Sequence, residues 1–427
     1  MSLQERVDAM PQPMPETGRP WPELKAEMES FAADDVDWRH GRNGMNVFFA
    51  GPEALQVAKE AYSLYMSENA LNQAAFPSLK RMERDVTGFG LSLLNAPDGA
   101  RANMTSGGTE SILLAVKAAR ECARAERGLA KEAHLEGSVV VPRSAHPAFD
   151  KACHLLGLEL IRVPVDPATL LADAEAMAQA VREDTFMVVG SAPAFPSGCI
   201  DPIAELGELA EQRNLWLHVD ACVGGYFIPF AERNGMDVPE FDFRVPAVRS
   251  MSADLHKYGY CAKGASTVLY RSEDLWRFQT FDFDDWPCGR MFTPTLAGTR
   301  PGGAIASAWA VMNHLGVEGY RERARIVVET RERLEGKLAE MNLTVWGRPK
   351  LGLISFGTED FDIIAVWPHM WERGWFCGVT TEPRGLHMML TPAHAGALDD
   401  FTADLEACCA HVRETGESFG DNFSRYT

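Results

Sequence analysis

The chain has 427 residues, of which 46% are hydrophobic and 24% are charged. This composition is typical of a folded globular protein with a large domain and a smaller one. The formal net charge of −19 argues against nucleic acid or anionic lipid as a partner. The nine cysteines form no CxxC pair and no cluster with zinc-ligand spacing, so we expect reduced thiols, a cytoplasmic protein and no bound metal.

Residues 1–40 are rich in proline and charge, with Trp21 and Trp38 as isolated aromatic anchors. We interpret them as an arm that lies on another surface, such as a second subunit. The first 20 residues lack the apolar core of a signal peptide, and no apolar run approaches the ~20 residues of a membrane helix. The sequence therefore predicts an N-terminal segment, residues 1–60, and no membrane span.

A helix is predicted over 53–68, and from about residue 100 short apolar strands alternate with amphipathic helices. The predicted strands are Val139–Val141, Phe186–Val189, Leu215–Val219 and Thr267–Tyr270. The predicted helices lie at about 109–126, 146–157, 169–183 and 202–213. Such alternation is typical of an α/β fold with a mostly parallel sheet that is covered on both faces. We assign residues 61–314 to this large domain.

The pattern changes near residue 300. Residues 315–341 predict a long charged helix, in which Glu329 and Arg333 can pair on the outer face. A short strand, Leu353–Phe356, and a last helix near 397–413 follow. We assign residues 315–427 to a small α+β domain.

Gly107, Gly108 and Thr109 stand at the start of a predicted apolar helix. Glycines there let backbone amides approach an anion, which the positive end of the helix and the Thr109 hydroxyl then help to hold. The segment matches neither the P-loop nor the dinucleotide-binding pattern, and a plain tight turn can have the same sequence. Phosphate binding and a simple turn both remain open from this segment alone.

Three other segments carry side chains suited to chemistry. Asp220 follows a predicted strand, where it can pair with a ring nitrogen or merely cap the next turn. Lys257, beside His256, can be a nucleophile if burial lowers its pKa, although most lysines are simply exposed. His146, also after a strand, can stack on a flat ring or serve as a capping residue.

Six segments, in order, resemble the fold-type-I pyridoxal-phosphate enzymes of the group II decarboxylase superfamily, and particularly the sphingosine phosphate lyase family. They are TSGGTES, AHPAFDKA, GSAPAFPSGCIDPI, HVDACVGGYFIPF, SADLHKYGYCAKG and AGTRPGG. The resemblance covers roughly residues 40–310. It implies the fold-type-I transferase fold, pyridoxal 5′-phosphate as cofactor, a small-molecule amine as substrate and a homodimer with the active site at the interface.

The resemblance also implies roles for single residues around the cofactor. Lys257 matches the lysine that carries the cofactor as a Schiff base, Asp220 the carboxylate beside the pyridine nitrogen, and His146 the histidine stacked on the ring. The groups that match the phosphate site of the same subunit are Gly107, Gly108, Thr109 and His256.

Further residues match positions at the subunit interface and near the substrate. Gly298 and Thr299 match a Gly-Ser pair that reaches the cofactor phosphate from the partner subunit, with threonine keeping the hydroxyl. Lys263 matches a lysine near the substrate phosphate in the lyases.

The sequence departs from the family at substrate positions. Phe48 replaces a tyrosine, Asn72 replaces a histidine, and Phe195 matches a position where some members have another aromatic residue. These changes weaken the expectation of an identical substrate. Arg384 can bind a substrate carboxylate as a bidentate pair, as a small-domain arginine does in many fold-type-I enzymes, or lie in a solvated loop.

Three functions follow from these features. The leading hypothesis is a carbon–carbon lyase that cleaves an amino-alcohol, expected to be phosphorylated, to an aldehyde and an amine; Lys263 favours it. The alternative is an amino-acid decarboxylase, a carboxy-lyase, which Arg384, Phe48 and Asn72 favour. The third is a non-catalytic relative that keeps only the fold, against which Lys257 and Asp220 argue together with His146.

Overall fold

The computed structural model describes residues 13–72, 74–130 and 135–420. The chain divides into two compact units, residues 1–37 and residues 38–427. In the first unit, helix α1 (Trp21–Phe31) has no buried residue and is followed by a 3-10 turn, Ala32–Asp34. Residues 1–12 of the predicted arm lie outside the described residues. The boundaries predicted at residues 60 and 314 stay predictions.

A seven-stranded sheet forms the centre of the second unit. Its strands are β1 (Arg101–Thr105), β2 (Ser138–Pro142), β3 (Glu159–Val163), β4 (Thr185–Ser191), β5 (Trp216–Asp220), β6 (Val248–Ala253) and β7 (Ser266–Tyr270). Their spatial order is β1-β7-β6-β5-β4-β2-β3, and β7 alone runs opposite to the others. The predicted α/β fold with a mostly parallel sheet is therefore confirmed.

Helices of this region are α2 (Pro52–Leu64), α3 (Pro77–Leu93), α4 (Gly108–Glu126), α5 (Ala148–Leu156), α6 (Ala174–Ala180), α7 (Ile203–Arg213), α8 (Ile228–Arg233) and α9 (Glu273–Arg277). All four predicted strands and the predicted helices are present, with shifted ends. Helix α6 is shorter than predicted because the Asp173 side chain accepts from Ala176 N at 2.9 Å and thereby caps its start.

Strand β6 was not predicted, because its sequence VRSMSA places serines in a buried strand. Ser250 and Ser252 are fully buried, and their hydroxyls bond to side chains of the neighbouring strand β5. Burial of these polar groups is tolerated because they are hydrogen-bonded. Strands β1 and β3 and helix α3 were also not predicted.

The C-terminal part contains a second, antiparallel sheet of four strands. They are β10 (Thr344–Val345), β11 (Leu353–Gly357), β12 (Gly378–Thr381) and β13 (Arg384–Met389), in the order β10-β11-β13-β12. The helices here are α10 (Gly302–Glu340), α11 (Val366–Glu372) and α12 (His394–Thr415), with a 3-10 turn at Ile363–Ala365. A separate hairpin pairs β8 (Phe281–Phe283) with β9 (Met291–Thr293).

Helix α10 is interrupted at Gly316, where φ is 55°, and the predicted long helix corresponds to its second half. The predicted pair between Glu329 and Arg333 is wrong. Glu329 accepts from Arg325 at 2.6 Å, whereas Arg333 donates to Asp399 on α12 at 3.3 Å. Within the described ranges, no helix has both the length and the apolarity that crossing a membrane requires.

Candidate active site

The predicted cofactor residues meet at one edge of the large sheet. Asp220 is the last residue of β5, Lys257 lies in the turn after β6, and Gly108 begins α4 shortly after β1. Since β1, β5 and β6 run in the same direction, their carboxyl ends share an edge. Ligands of α/β proteins bind at such edges.

Lys257 forms an ion pair with a carboxylate that the sequence motifs did not single out. Its Nζ lies 3.0 Å from Asp254 Oδ2. Burial lowers the pKa of Lys257, but the negative charges of Asp254 and Asp220 outweigh burial and hold that pKa above its usual value. The net direction is therefore opposite to the lowering that we expected from burial alone.

Asp254 is 3% exposed and connects several parts of the site. Besides Lys257, its Oδ2 lies 3.6 Å from His256 Nε2. Burial raises the pKa of Asp254, but the adjacent Lys257 and His256 bring it below the usual value. Its Oδ1 is buried without a hydrogen-bond partner in the described part of the chain. The signal in the sequence was an acid three residues before the lysine, in the segment SADLHK.

Gly108 allows helix α4 to begin directly against this carboxylate. A Cβ atom at Gly108 would lie 2.7 Å from Cys222 Sγ and 3.0 Å from Asp254 Oδ2, distances that leave no room for a side chain. A Cβ atom at the neighbouring Gly107 would lie 3.5 Å from the His256 ring. Thr109 is the second residue of the helix. The helix start, with its free amide groups, therefore lies between His256 and Asp254.

His256 is oriented by the backbone. Its Nδ1 accepts from Ala265 N at 3.3 Å, so the proton of the neutral ring resides on Nε2. Burial lowers the pKa of His256 to about 4, aided by Lys263 and Lys257 and opposed by Asp254. At neutral pH, His256 is therefore an uncharged ring with one N–H to donate.

Asp220 is held by a chain of buried hydrogen bonds. Its Oδ1 accepts from Cys222 N at 3.1 Å and from Ser252 Oγ at 3.0 Å. Ser252 Oγ lies 3.3 Å from His218 Nε2, and His218 Nδ1 lies 2.8 Å from Ser250 Oγ.

The direction of each of these hydrogen bonds follows from Trp216, at the end of the series farthest from Asp220. Trp216 can only donate, and its Nε1 lies 2.7 Å from Ser250 Oγ. Ser250 then donates to His218 Nδ1, His218 Nε2–H donates to Ser252, and the Ser252 hydroxyl donates to Asp220. Burial lowers the pKa of His218 to about 4 despite the nearby Asp220, which fits the neutral ring that this chain requires.

A second set of predicted residues lies around Lys263. Its Nζ donates to the carbonyls of Asn46 (2.8 Å) and His256 (3.3 Å) and lies 5.7 Å from the centre of the Phe48 ring. Burial of the ammonium group and the charge of Lys257 lower the pKa of Lys263 to about 8, although the residue as a whole is exposed. Phe48 in turn contacts Tyr258 edge to face at 4.8 Å.

Tyr258, next to Lys257, reaches the C-terminal sheet. It is buried, its hydroxyl donates to Leu390 O at 2.7 Å, and its ring contacts Phe227 at 4.6 Å. Gly352 makes room for it, because a Cβ there would lie 2.1 Å from the hydroxyl. Sequence reasoning missed this residue, since a single tyrosine beside a lysine carries no distinct signal.

His146 and Phe195 lie together. Their rings meet edge to face at 6.4 Å, and Phe195 also packs at 4.8 Å against His387 of β13. His146 Nδ1 accepts from Ala148 N at 3.1 Å and so caps the start of α5, while His387 Nε2 contacts Phe195 O at 2.9 Å. The ring-stacking role of His146 stays a prediction.

Asn72, Gly298 and Thr299 form a separate, largely exposed group. Asn72 Oδ1 accepts from Ala74 N at 3.1 Å, and Thr299 Oγ1 accepts from Asn69 Nδ2 at 3.2 Å. A Cβ at Gly298 would lie 3.6 Å from Leu71. The loops that hold the predicted substrate residue and the predicted partner-side residues therefore adjoin each other.

Arg384 does not join either set. Its Nη2 donates to both oxygens of Asp362 at 2.9 Å and to Phe419 O at 2.9 Å. A carboxylate of the protein itself thus occupies the guanidinium face that was predicted for a substrate. The predicted substrate role of Arg384 stays a prediction.

The residues at the sheet edge fit pyridoxal phosphate. They offer an amine for its carbonyl group in Lys257, a carboxylate for its ring nitrogen in Asp220, and free amides of α4 with the N–H of His256 for its phosphate. The unpartnered oxygen of Asp254 leaves acceptor capacity for a bound polar group. The glycines at the start of α4 keep the backbone accessible.

Comparisons with known proteins agree with this chemistry. The family model described as "Pyridoxal-dependent decarboxylase conserved domain" matches residues 4–359. The sphingosine-1-phosphate lyase of Oryza sativa is 38% identical over 89% of this chain and 71% of the rice protein. That of Dictyostelium discoideum is 37% identical over 93% and 74%, respectively.

Solved structures give the same result. A sphingosine-1-phosphate lyase from Burkholderia pseudomallei superimposes with a TM-score of 0.91 at 37% identity, covering 97% of this chain and 96% of that one. A glutamate decarboxylase from Lactobacillus brevis has a TM-score of 0.82 at 20% identity, covering 98% of each chain, and this likeness speaks for the fold alone.

Proposed function

Because this chain belongs to the pyridoxal-dependent decarboxylase family and is a pyridoxal-phosphate-dependent lyase resembling the sphingosine-1-phosphate lyases, we propose that it cleaves a phosphorylated amino-alcohol to an aldehyde and a phosphorylated amine. The bond that breaks joins the carbon bearing the amine to the carbon bearing the hydroxyl. The hydroxyl proton leaves as the aldehyde forms, and a proton is returned to the amine-bearing carbon.

Pyridoxal phosphate, when bound, supplies an electron sink for the pair left at that carbon. Lys257 is the residue proposed to hold it, and its amine is also the proposed proton donor to the amine-bearing carbon. Asp220 is proposed to sit beside the ring nitrogen as a carboxylate, fixed by Ser252 and Cys222. The start of α4 and His256 are proposed to hold the cofactor phosphate.

Lys263 is the observation that carries the proposed substrate class. Its ammonium bonds to two backbone carbonyls, and within the described residues no carboxylate lies within ion-pair distance of it. A cation that is paired only with neutral groups retains attraction for an anionic ligand. Its position six residues after Lys257, with Phe48 beside it, supports a phosphate group as that ligand.

The test is a product assay with a panel of phosphorylated and unphosphorylated amino-alcohols and of amino acids. We expect an aldehyde from the phosphorylated amino-alcohols, and a higher KM for the unphosphorylated ones. Replacement of Lys263 by Met is expected to raise the KM for phosphorylated substrates about 10- to 100-fold, since hydrogen bonds to charged groups contribute roughly 1.5–3 kcal/mol. The variant Lys263→Arg keeps the charge and serves as its control.

An amino-acid decarboxylase is the second candidate. Phe48 has no hydroxyl where the lyases have a tyrosine, and this observation favours it. The bidentate bond of Arg384 to Asp362 speaks against it, because the arginine proposed for a substrate carboxylate is already paired. Release of carbon dioxide without aldehyde across the panel is the result that would replace the proposed function with this one.

We also propose a homodimer in the cytoplasm. The β8–β9 hairpin and its flanks expose large apolar side chains, namely Phe281, Phe283, Trp286, Phe292 and Leu296, and an exposed apolar cluster of this kind marks association surfaces.

All nine cysteines are free thiols, which supports a reducing compartment. Sedimentation of the purified protein tests the dimer, and thiol titration after gentle isolation tests the redox state.

A further inference from the structure

Three potential metal ligands meet on the helices of the C-terminal part, and none of them belongs to the candidate active site. They are His369 on α11, His411 on α12 and Glu417 just after α12, and one donor atom from each lies within 4.8 Å of the other two. His369 Nε2 lies 2.8 Å from Glu417 Oε2, and His411 Nε2 lies 3.4 Å from Glu417 Oε1. The two imidazole rings are 4.8 Å apart and nearly perpendicular. Two imidazoles thus direct the same kind of nitrogen at one carboxylate.

The spacing suits a tetrahedral cation. Ligand atoms at about 2.0–2.1 Å from a Zn²⁺ ion are separated from each other by roughly 3.4 Å. Of the two nitrogen–oxygen separations, one equals this value at 3.4 Å and the other is shorter, at 2.8 Å. All three ligand atoms lie within 4.8 Å of one another, so an ion can enter after small rotations of the side chains. The fourth position is then open to water.

The carboxylate is held in place from both sides. Gly416 adopts a left-handed conformation, with φ of 71°, and its N–H donates to Val412 O at 2.9 Å, which turns the chain back toward α12. Two residues beyond Glu417, Phe419 N donates to Asp362 Oδ2 at 2.7 Å, and its carbonyl accepts from Arg384. Glu417 thus projects from a fixed loop, which reduces the entropy lost when it binds a ligand.

His369 also has a carboxylate near its second ring nitrogen, as metal-binding histidines commonly do. Its second nitrogen, Nδ1, lies 3.8 Å from Glu372 Oε2, one helical turn away. A carboxylate that accepts from the far nitrogen fixes the tautomer and ring direction and strengthens the nitrogen that faces the metal. In the ion-free protein Nε2–H bonds to Glu417; when an ion binds at Nε2 the proton moves to Nδ1, which a shift of about half an ångström brings within hydrogen-bond distance of Glu372.

We propose that His369, His411 and Glu417 bind a divalent cation of the zinc type. Imidazole with a single carboxylate favours Zn²⁺, Ni²⁺ or Cu²⁺ over Ca²⁺ and Mg²⁺, which prefer oxygen ligands. The bound ion links α11, α12 and the segment after α12, so its role is to hold that segment against the two helices. The site lies outside the proposed catalytic machinery and is independent of the proposed function.

The test is titration of the full-length protein, loaded with pyridoxal phosphate and freed of excess cofactor, with Zn²⁺ against a chromophoric chelator. We expect one Zn²⁺ per chain at this site. His369→Ala, His411→Ala and Glu417→Gln should each abolish that equivalent, and Glu372→Gln should weaken it about tenfold or more. If an alanine variant does not fold, His369→Gln or His411→Gln takes its place.

His314→Ala is the matched control. His314 Nε2 lies 3.8 Å from Glu53 Oε1, one imidazole near one carboxylate, and its removal should leave Zn²⁺ binding unchanged. Titration with Co²⁺ distinguishes this site from the exposed Cys288, because nitrogen and oxygen ligands give no near-ultraviolet thiolate band. Absence of binding to the unaltered protein, a thiolate band, or equal Zn²⁺ affinity after loss of either histidine would overturn the proposal.

Discussion

The residues of the candidate active site fall into an inner group, Asp220, Asp254 and Lys257, and an outer group, Lys263, Asn72 and Thr299. The inner carboxylates are 7% and 3% exposed. Asp220 accepts from Ser252 of β6 and from the Cys222 backbone, and Asp254 pairs with Lys257 in the turn after β6. The outer residues bond to backbone carbonyls, to their own loop or to one amide side chain. The inner group is thus ordered by folding itself, and the outer group retains capacity for a ligand.

This difference separates the two tasks of the enzyme. Buried groups that the protein itself holds in place suit the cofactor, which is the same for the whole family, since preorganised dipoles need no rearrangement during the reaction. Exposed groups with neutral partners suit recognition, and the two positions that depart from the resembled family, Phe48 and Asn72, belong to or adjoin this outer group. Four predictions test this contrast, in order of decreasing effect on catalysis.

Replacement of Lys257 by Ala removes the only amine of the inner group. We expect kcat/KM to fall by about 10³-fold or more, because both the cofactor attachment and a proton donor are lost. The visible absorption of the bound cofactor and its trapping by borohydride should disappear as well. Lys117→Met is the control, since Lys117 also donates to two carbonyls, those of Phe278 and Thr280, yet should leave absorption and trapping intact.

Ser252→Ala breaks the buried chain between His218 and Asp220. It removes the hydroxyl that donates to Asp220 and leaves the His218 N–H unpaired, a cost of about 1–3 kcal/mol. We expect the dissociation constant of pyridoxal phosphate to rise about 10- to 100-fold, measured by absorption titration. Ser138→Ala removes a buried hydroxyl that bonds Asp184 and Thr185; it should cost stability without changing cofactor affinity. Equal cofactor affinities in the two variants would contradict the positioning role.

The outer group should respond to pH through Lys263. Its pKa of about 8 means that the ammonium is charged below pH 8 and loses its charge as the pH rises through that value. The KM of a phosphorylated substrate should therefore rise, by up to about tenfold, between pH 7 and pH 9.5. Lys263→Arg should flatten this part of the profile, because guanidinium stays protonated there; an unchanged slope in the arginine variant would assign the effect to another group.

Arg384 should matter for folding more than for catalysis. Arg384→Gln leaves Asp362 without its bidentate partner, and we expect the free energy of unfolding to fall by about 1–2 kcal/mol. The value of kcat/KM should stay within about twofold of the unaltered enzyme. Urea denaturation and steady-state kinetics together test this. A large rise in KM with unchanged stability would instead restore the predicted contact between Arg384 and the substrate.

The sequence predicted those parts of the fold in which local pattern and tertiary environment agree. Strand β5 is such a case because it is an apolar run, and helix α4 is another because its apolar sequence begins at the Gly107-Gly108 pair. Strand β6 escaped prediction because Ser250 and Ser252 are buried only by virtue of His218 and Trp216 on the neighbouring strand. Because these serines find their hydrogen-bond partners on the neighbouring strand, the sequence of β6 by itself shows no apolar pattern that predicts a buried strand.

The same limit applies to the site. Lys257 and Asp220 could be found because each stands in a characteristic segment. The role of Asp254 depends on the turn that folds it back onto Lys257, and the partner of Arg384, Asp362, lies in a different loop. Ion pairs between distant segments depend on the final packing, which is also why Arg333 meets Asp399 and not Glu329.

The bond between Tyr258 and Leu390 has a mechanical consequence. It fastens the residue beside Lys257 to the end of β13, while the rings of Phe48 and Phe227 grip the same tyrosine. A displacement of the C-terminal sheet is therefore expected to move Tyr258 and, through the backbone, the adjacent Lys257. A ligand that moves the C-terminal sheet is thereby expected to change the position of Lys257.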